Sequence, residues 1–583
     1  MNSRFAHEVT AGATILPDGT VRFRLWAPAQ EQVSVAIEDG PVLPMRRSPD
    51  GWFETTAELA PGARYRYRLA DGMLVPDPAS RAQADDVHDP SVVVDPKAYE
   101  WRHPGWKGRP WHETVFYELH AGVFGGFRGV QAALPRLKAL GITAVELMPV
   151  NDFPGWHNWG YDGVLPYAPD RAYGAPDELK MLVDAAHELG LMIFLDVVYN
   201  HFGPDGNYLS LYAPQFFRED HKTPWGPALD FRRPEVRAYF TNNVLMWLME
   251  YRFDGLRFDA VHAIDDQSWV DEMAATVRAN VEPGRHVHLV MEHHNDASHL
   301  HQGIDAQWND DGHNVLHVLL TGESGGYYAD YADDPADKLA RVLAEGWAYQ
   351  GEISHYLGGP RGSCSLDLPA TAHVLFLQNH DQTGNRAFGE RLTVLADPPA
   401  LEAAIALLML CPQIPLLFMG EETASRSPFL FFTDHNPELA QAVRDGRRGE
   451  FARFADFADP AKREQIPDPN APQTFQGSIP HPDPHHATER EILYRTLIDL
   501  RMTRIAPFLD GARTLESAVI GPKAVMARWS LAGGAVLSLA TNLEATPVRL
   551  DTPTGELLFA SKDLPAGTLP GHCTAAYLET PHE

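Results

Sequence analysis

Between residues 115 and 419 the sequence repeats one unit, a short apolar segment followed by a segment with helical periodicity. Strands of a parallel sheet that is covered on both faces are apolar along their whole length, and consecutive parallel strands need a long crossover. The apolar segments are residues 115–119, 143–148, 191–198, 255–262, 287–292, 374–378 and 414–419. This alternation predicts an α/β fold whose strands close into a (β/α)8 TIM barrel.

The segments on either side of this repeat have a different pattern. Short alternating strands such as residues 21–26 and 65–69 are separated by turn residues such as Pro17-Asp18-Gly19, and they predict an antiparallel N-terminal β-sandwich. Short strands also return near the C-terminus. We therefore expect four segments along the chain. They are a β-sandwich at 1–95, a linker at 96–110, the barrel with insertions at 111–510, and a C-terminal β-domain at 511–583.

Composition excludes several classes of partner. The 583 residues include 78 acidic and 48 basic side chains, and a net charge of -30 repels nucleic acid and anionic membrane surfaces. We find neither a signal peptide nor an apolar run long enough to cross a bilayer. Only Cys364, Cys411 and Cys573 are present, which favours reduced thiols. We therefore expect a cytoplasmic protein with no nucleic-acid or membrane partner.

One predicted strand, residues 255–262, carries charges where an apolar run is expected. Along a strand, side chains alternate between the two faces, so Arg257 and Asp259 should share one face. A buried charge costs several kcal/mol unless it is paired. The pair is either a structural ion pair or part of a functional site. Asp196 poses the same question in strand 191–198, where it could be a structural partner of Arg257 or a substrate-binding residue.

Polar residues collect at the carboxyl ends of the predicted strands. They are Asp196, His201, Arg257, Asp259, Glu292, His380 and Asp381. In a β/α barrel these ends converge on one pocket, so residues far apart in sequence meet there. Paired carboxyl groups are what glycosidic cleavage requires, and in retaining enzymes they lie about 5 Å apart.

Four ordered motifs carry a resemblance to a known family. Asp196–His201, Gly255–His262, Glu292 at its strand end and Asn379–Asp381 resemble the motifs of the α-amylase family, glycoside hydrolase family 13. The resemblance implies that Asp259 is the nucleophile, that Glu292 is the general acid and base, and that Asp381 grips sugar hydroxyls. It also implies that Arg257 keeps Asp259 ionised. The residues expected to bind substrate are Arg257, His201, His380, Tyr161, Trp159 and Asp196.

Further stretches narrow the resemblance. Residues 159–167, 306–311, 317–323, 378–388 and 428–435 are similar to the malto-oligosyltrehalose trehalohydrolase group. This implies hydrolysis of the α-1,4 bond next to the terminal trehalose of maltooligosyl trehalose or another α-glucan, with retention and without cofactor or metal. It also implies a carbohydrate-binding-like N-terminal domain and a functional pairing with a maltooligosyl trehalose synthase. Gly312 and Thr423 stand where relatives usually carry an aromatic residue.

Two other functions stay open from sequence alone. A branching transglycosylase would use a second sugar instead of water to resolve the intermediate. A non-catalytic glucan-binding protein would be expected to lack a carboxylate, whereas Asp259, Glu292 and Asp381 are all present. Two further motifs are weak. Gly322–Gly326 matches the spacing of a serine nucleophile elbow, which requires a preceding strand. Histidines near Glu292 match no zinc-protease motif.

Overall fold

The computed structural model describes residues 5–223, 226–452, 457 and 459–581. Its centre is a closed barrel of eight parallel strands in chain order, with the last strand pairing with the first. The strands are β1 (Phe116–Leu119), β2 (Ala144–Leu147), β3 (Met192–Val197), β4 (Gly255–Phe258), β5 (His288–Met291), β6 (Ala306–Trp308), β7 (His373–Phe376) and β8 (Ile414–Phe418). The predicted fold class is confirmed.

Two strands differ from the sequence prediction. Strand β4 ends at Phe258, because Ala260 has a left-handed backbone with φ of 40° and Val261–Ala263 form a 3-10 turn. The prediction of a strand over 255–262 is therefore wrong beyond Phe258, and Asp259 lies just after the strand. Strand β6 was not predicted. At three residues it is too short to show a period.

Helices surround the barrel and connect most of its strands. They are Gly126–Leu140, Pro176–Glu188, Pro234–Leu245, Ser268–Asn280, Asp310–Thr321, Pro335–Glu345, Pro398–Leu410, Pro437–Phe451 and Ala487–Leu500. The π-helical turn Met246–Glu250 extends the third of these, and a 3-10 turn, His299–His301, lies between β5 and β6. Within the described ranges, no helix combines the length and apolarity needed to cross a bilayer.

Residues 96–110 form neither helix nor strand, yet they are firmly attached to the barrel. The buried Asp184 carboxylate accepts backbone N–H bonds from Arg102 and His103 at 2.9 and 3.0 Å. The indole of Trp106 donates to Asp254 at 2.8 Å and packs with Trp111 against the lower barrel core. The predicted linker therefore closes the amino-terminal end of the barrel.

The N-terminal segment folds as two antiparallel sheets. One contains Gly12–Ile15, Val21–Trp26, Arg46–Arg47 and Trp52–Ala57, and the other contains Ser34–Ile37, Val42–Pro44, Arg64–Arg68, Leu74–Val75 and Ser91–Val92. Phe23 of one sheet meets Tyr65 of the other edge to face, with ring centroids 4.8 Å apart. A buried ion pair at 3.1 Å, Arg81 with Glu250, joins this domain to the barrel.

The C-terminal segment is also antiparallel. Its five-stranded sheet contains Arg513–Gly521, Ala524–Ser530, Val536–Asn542, Glu556–Ala560 and Cys573–Glu579, and Val548–Arg549 pairs with Thr568–Leu569. The sheet is anchored on barrel helices, because Trp529 donates to Leu343 at 3.1 Å and Thr574 to Ala403 at 2.7 Å. Both flanking β-domains are thus confirmed, and the boundaries between segments stay predictions. All three cysteines are free.

Candidate active site

The centre of the polar cluster is one buried guanidinium. Arg257 Nη1 lies 2.7 Å from Asp196 and 2.9 Å from Asp259, and Nη2 lies 2.6 Å from Glu292. The face of the guanidinium stacks on Trp308, with its carbon 4.0 Å from the ring centroid. Strand pairing explains this arrangement, because Arg257 is in register with Asp196 on β3 and Val290 on β5. One cation therefore contacts three carboxyl groups from three strand ends.

Asp259 is held in its ionised form by several donors. Asn200 donates its side-chain amide to Asp259 Oδ2 at 2.8 Å and to the Asp259 backbone oxygen at 2.9 Å. Burial alone would raise the pKa of Asp259, but Arg257, His201 and the Asn200 amide outweigh it, so this pKa lies below its ordinary value. The carboxyl group is thus a carboxylate over most of the pH range.

Glu292 lies in the opposite electrostatic situation. Its Oε2 accepts bonds from Arg257 and from the backbone N–H of Ala260 at 3.0 Å, which the left-handed turn at Ala260 directs toward it. Burial raises the pKa of Glu292 well above its ordinary value, and Asp259 adds to this shift while Arg257 opposes it. Two neighbouring carboxyl groups with pKa values moved in opposite directions are suited to different protonation roles.

A second network runs along the opposite wall of the site. The hydroxyl of Tyr161 donates to Asp196 at 2.6 Å and lies 2.8 Å from His380 Nε2, and the two rings are stacked. His380 Nδ1 lies 2.5 Å from Glu118, and Nε2 lies 3.5 Å from Asp381. Burial opposes protonation, but Asp381 and Glu118 outweigh it and raise the pKa of His380 to about 9. His380 is therefore a cation at neutral pH.

Two carboxyl groups deeper in the barrel have oxygens without a hydrogen-bond partner. Burial raises the pKa of Asp196 to about 6, and Asp196 Oδ1 has no hydrogen-bond partner. Glu146 on β2 has no partner at either oxygen, and burial, with Glu118 and Asp196, raises its pKa well above the ordinary value. Burial without a partner therefore favours the neutral form of Glu146 beneath the site.

His201 and Trp159 support the residues that line the site. His201 Nε2 lies 2.9 Å from the Tyr161 backbone oxygen, and Nδ1 bonds the Asn200 side-chain oxygen. Trp159 is buried, with its ring stacked on Phe429 and perpendicular to the ring of His380. All nine predicted site residues thus lie in one connected cluster, and their individual roles stay predictions.

The structure gives the setting of three further sequence features, Gly312, Thr423 and the motif Gly322–Gly326. A Cβ on Gly312 would lie 2.3 Å from Leu375, so this position faces the barrel packing rather than an open sugar-binding surface. The Thr423 hydroxyl donates to the Gly420 backbone oxygen at 3.2 Å. The motif at Gly322–Gly326 follows the helix Asp310–Thr321 and not a strand, which excludes a nucleophile elbow.

Two of the histidines after Glu292 make side-chain hydrogen bonds. His293 and His299 both lie close to the Gln267 side-chain oxygen, at 3.2 and 3.1 Å, and His299 also bonds Asp271. In the part of the chain that the structure describes, no three His, Cys, Asp or Glu residues are grouped as metal ligands.

Three residues of the cluster were missed by sequence reasoning as site residues. Glu118 and Glu146 are charged residues inside buried parallel strands, which is the signal that identified Asp196 and Arg257. They could have been found by applying that criterion to every strand. Asn200 follows Asp196 within a recognised motif, but its contact with Asp259 depends on the loop conformation after β3.

Comparison with known proteins agrees with this geometry. The alpha amylase catalytic domain family matches residues 112–225, carbohydrate-binding module 48 (isoamylase N-terminal domain) matches 10–90, and a domain of unknown function (DUF3459) matches 512–576.

Individual relatives match over most of their length. The malto-oligosyltrehalose trehalohydrolase of Deinococcus radiodurans is 43% identical over 84% of this chain and 82% of its own, and that of Rhizobium sp. is 39% identical over 94% of each. A crystal structure from Salmonella typhimurium, named as a candidate alpha amylase, superposes with a TM-score of 0.93 at 45% identity, covering 98% of this chain and 100% of that one. The chain therefore belongs to the malto-oligosyltrehalose trehalohydrolase family, within the α-amylase group of glycoside hydrolases.

Proposed function

We propose that this glycoside hydrolase cleaves the α-1,4 bond next to the terminal trehalose of maltooligosyl trehalose, with retention, and releases trehalose and a maltooligosaccharide. The observation that carries the proposal is the binding of Asp259 and Glu292 by the two Nη atoms of one guanidinium, Arg257. That arrangement keeps the two carboxyl groups close, as the separation of about 5 Å in retaining enzymes requires.

The first chemical step uses the different protonation states of the two groups. The Asp259 carboxylate attacks the anomeric carbon of the glucose that precedes trehalose and forms a glycosyl ester. At the same time the Glu292 carboxylic acid donates its proton to the departing trehalose oxygen. The lowered pKa of Asp259 and the raised pKa of Glu292 support this division.

The second step returns both groups to their starting state. The Glu292 carboxylate takes a proton from water, the hydroxide oxygen bonds to the anomeric carbon, and the Asp259–carbon bond breaks. The two steps balance with water as the only co-substrate.

The remaining residues position the sugar. Asp381 and the cationic His380 offer an acceptor and a donor to hydroxyl groups of the glucose that becomes attached to Asp259. Tyr161 lies beside them, and its hydroxyl is fixed by Asp196 and His380. Interactions of this kind with ring hydroxyls strengthen in the distorted transition state and supply several kcal/mol.

The proposal extends to cellular context. A maltooligosyl trehalose synthase would supply the substrate, and the N-terminal domain, which matches carbohydrate-binding module 48, would bind glucan. We propose a cytoplasmic location, which the three free cysteines support.

Product analysis tests the function directly. The enzyme is incubated with maltooligosyl trehalose and, separately, with a plain maltooligosaccharide of equal length. We expect preferential release of free trehalose from the first. Longer branched chains would instead establish transglycosylation, and binding without any reaction would establish a glucan-binding protein. Either result refutes the proposal.

Two substitutions test the residue roles. Asp259→Ala and Glu292→Gln should each lower kcat by several powers of ten, because each removes a group needed in the transition state. Thermal unfolding and circular dichroism should show an intact fold. Near-normal turnover by either variant would falsify the corresponding role.

A further inference from the structure

Trp156 is the most exposed large apolar side chain in the described part of the protein, with 68% of its surface accessible. It lies in the loop between β2 and β3, three residues before Trp159 and five before Tyr161. Those two aromatic residues contact His380 inside the site, at ring-centroid distances of 5.6 and 5.2 Å. Trp156 therefore belongs to the same loop as two aromatic residues of the site.

The backbone around Trp156 is fixed although its ring is exposed. The Trp156 N–H donates to the Asp434 carboxylate at 2.8 Å, and the Gly155 N–H donates to Asp86 of the N-terminal domain at 3.2 Å. Gly155 has φ of 85°, and a Cβ there would lie 2.5 Å from the Asp434 backbone oxygen. On the other side, the ring of His157 stacks on Phe475. The fold thus presents an indole to solvent on a rigid support, which lowers the entropy cost of binding.

The barrel order shows which part of the substrate passes this position. Trp156 follows β2 and its anchor Asp434 follows β8, and these strands flank β1. Glu292 follows β5, which lies across the eight-stranded barrel from β1. Since Glu292 protonates the leaving group in the proposed reaction, trehalose lies toward β5. The rest of the glucan chain extends toward the opposite wall.

We propose that Trp156 forms a stacking platform for the α-1,4-glucan chain on the non-trehalose side of the cleaved bond, beyond the glucose that reacts with Asp259. This inference rests on the proposed function, because that function defines the direction of the chain. The apolar face of a glucose unit packs against the indole. The ring contributes a large apolar contact area, and this contact needs no hydrogen bond. Long substrates reach the platform and the shortest ones do not.

The test compares two chain lengths. Steady-state kinetics are measured with glucosyl trehalose, which has no glucose beyond the reacting one, and with maltohexaosyl trehalose, for the wild type, Trp156→Ala and Trp156→Phe. We expect Trp156→Ala to raise KM about three- to tenfold for the long substrate only, with kcat unchanged, because uniform binding energy is lost. Trp156→Phe should recover most of the affinity. Leu515→Ala, at an exposed apolar residue of the C-terminal domain, is the matched control and should change neither KM.

The alternatives give different results. Equal KM increases for both substrates, or no increase for the long one, would overturn the platform. If the wild type releases no trehalose, the proposed function fails. The role of Trp156 can then still be tested by measuring the binding of plain maltoheptaose in a calorimeter. Measured in a Glu292→Gln background to prevent turnover, Trp156→Ala should weaken that binding about three- to tenfold. Unchanged affinity refutes the inference independently of the kinetics.

Discussion

Replacing Asn200 by alanine should move the acid limb of the pH–activity profile. The uncharged Asn200 amide donates a hydrogen bond to Asp259 Oδ2 at 2.8 Å. A hydrogen bond to a charged acceptor contributes about 1.5–3 kcal/mol, and 1.36 kcal/mol corresponds to one pH unit. Removing it disfavours the charged form and raises the pKa of Asp259. The acid limb of kcat/KM should therefore move up by about one to two pH units.

The loss of Asn200 acts on Asp259 by a second route in the same direction. His201 Nδ1 bonds the Asn200 side-chain oxygen, so the substitution also releases the imidazole whose charge helps to lower the pKa of Asp259. Both changes reduce the ionised fraction of the nucleophile at low pH, and neither should affect the alkaline limb.

The assay follows trehalose release from maltooligosyl trehalose between about pH 3 and pH 9, because kcat/KM reports the pKa values of the free enzyme. Asn242→Ala is the control, since the Asn242 amide bonds His7 and the Ala238 backbone outside the barrel mouth. Its profile should match that of the wild type. A rate that falls equally at every pH in Asn200→Ala, with an unmoved acid limb, would refute the electrostatic role.

Two further substitutions test the packing beneath and beside the site. Glu118→Gln removes a charge that helps to raise the pKa of His380 to about 9. Protonated His380 stabilises the fold fully below about pH 6.5, and this contribution is lost as the pH rises through about 9. The substitution should make that contribution smaller. The unfolding temperature should fall more at pH 6 than at pH 9.5, and an equal fall at both would contradict this. Gly312→Phe should destabilise the fold by about 1–3 kcal/mol in denaturant unfolding, because its Cβ alone would overlap Leu375. Unchanged stability with altered KM would show instead that the position is open to substrate.

Sequence alone predicted the barrel because seven of its strands are apolar runs bounded by helical segments. The eighth, Ala306–Trp308, has too few residues for any period to show. The strand that contains Arg257 was predicted too long. The alternation of apolar and polar residues continues in the sequence after Phe258, but the backbone adopts a left-handed conformation at Ala260. Residue types do not record such a turn when a non-glycine residue adopts it.

The candidate site was predictable where a charge interrupts an apolar run. Asp196 and Arg257 were identified in this way, and Glu118 and Glu146 satisfy the same condition. The sequence could not predict which side chains of the site contact each other. That Asn200 reaches Asp259, or that Glu118 reaches His380, depends on side-chain directions set by loops after β3 and β7. The opposed pKa shifts of Asp259 and Glu292 likewise follow from burial and distance, not from residue type.

The contact between Arg81 and Glu250 has a consequence for how this chain can be divided. Each side chain is almost fully shielded from water, and each belongs to a different domain. A barrel produced without its N-terminal partner would lose the guanidinium that pairs with Glu250, together with the part of the buried contact that Arg81 contributes. The two domains are distinct in the fold, but truncation or module exchange at residue 95 would separate the two partners of this buried ion pair. A chimaera that keeps this barrel therefore needs an N-terminal domain with an arginine positioned to pair with Glu250.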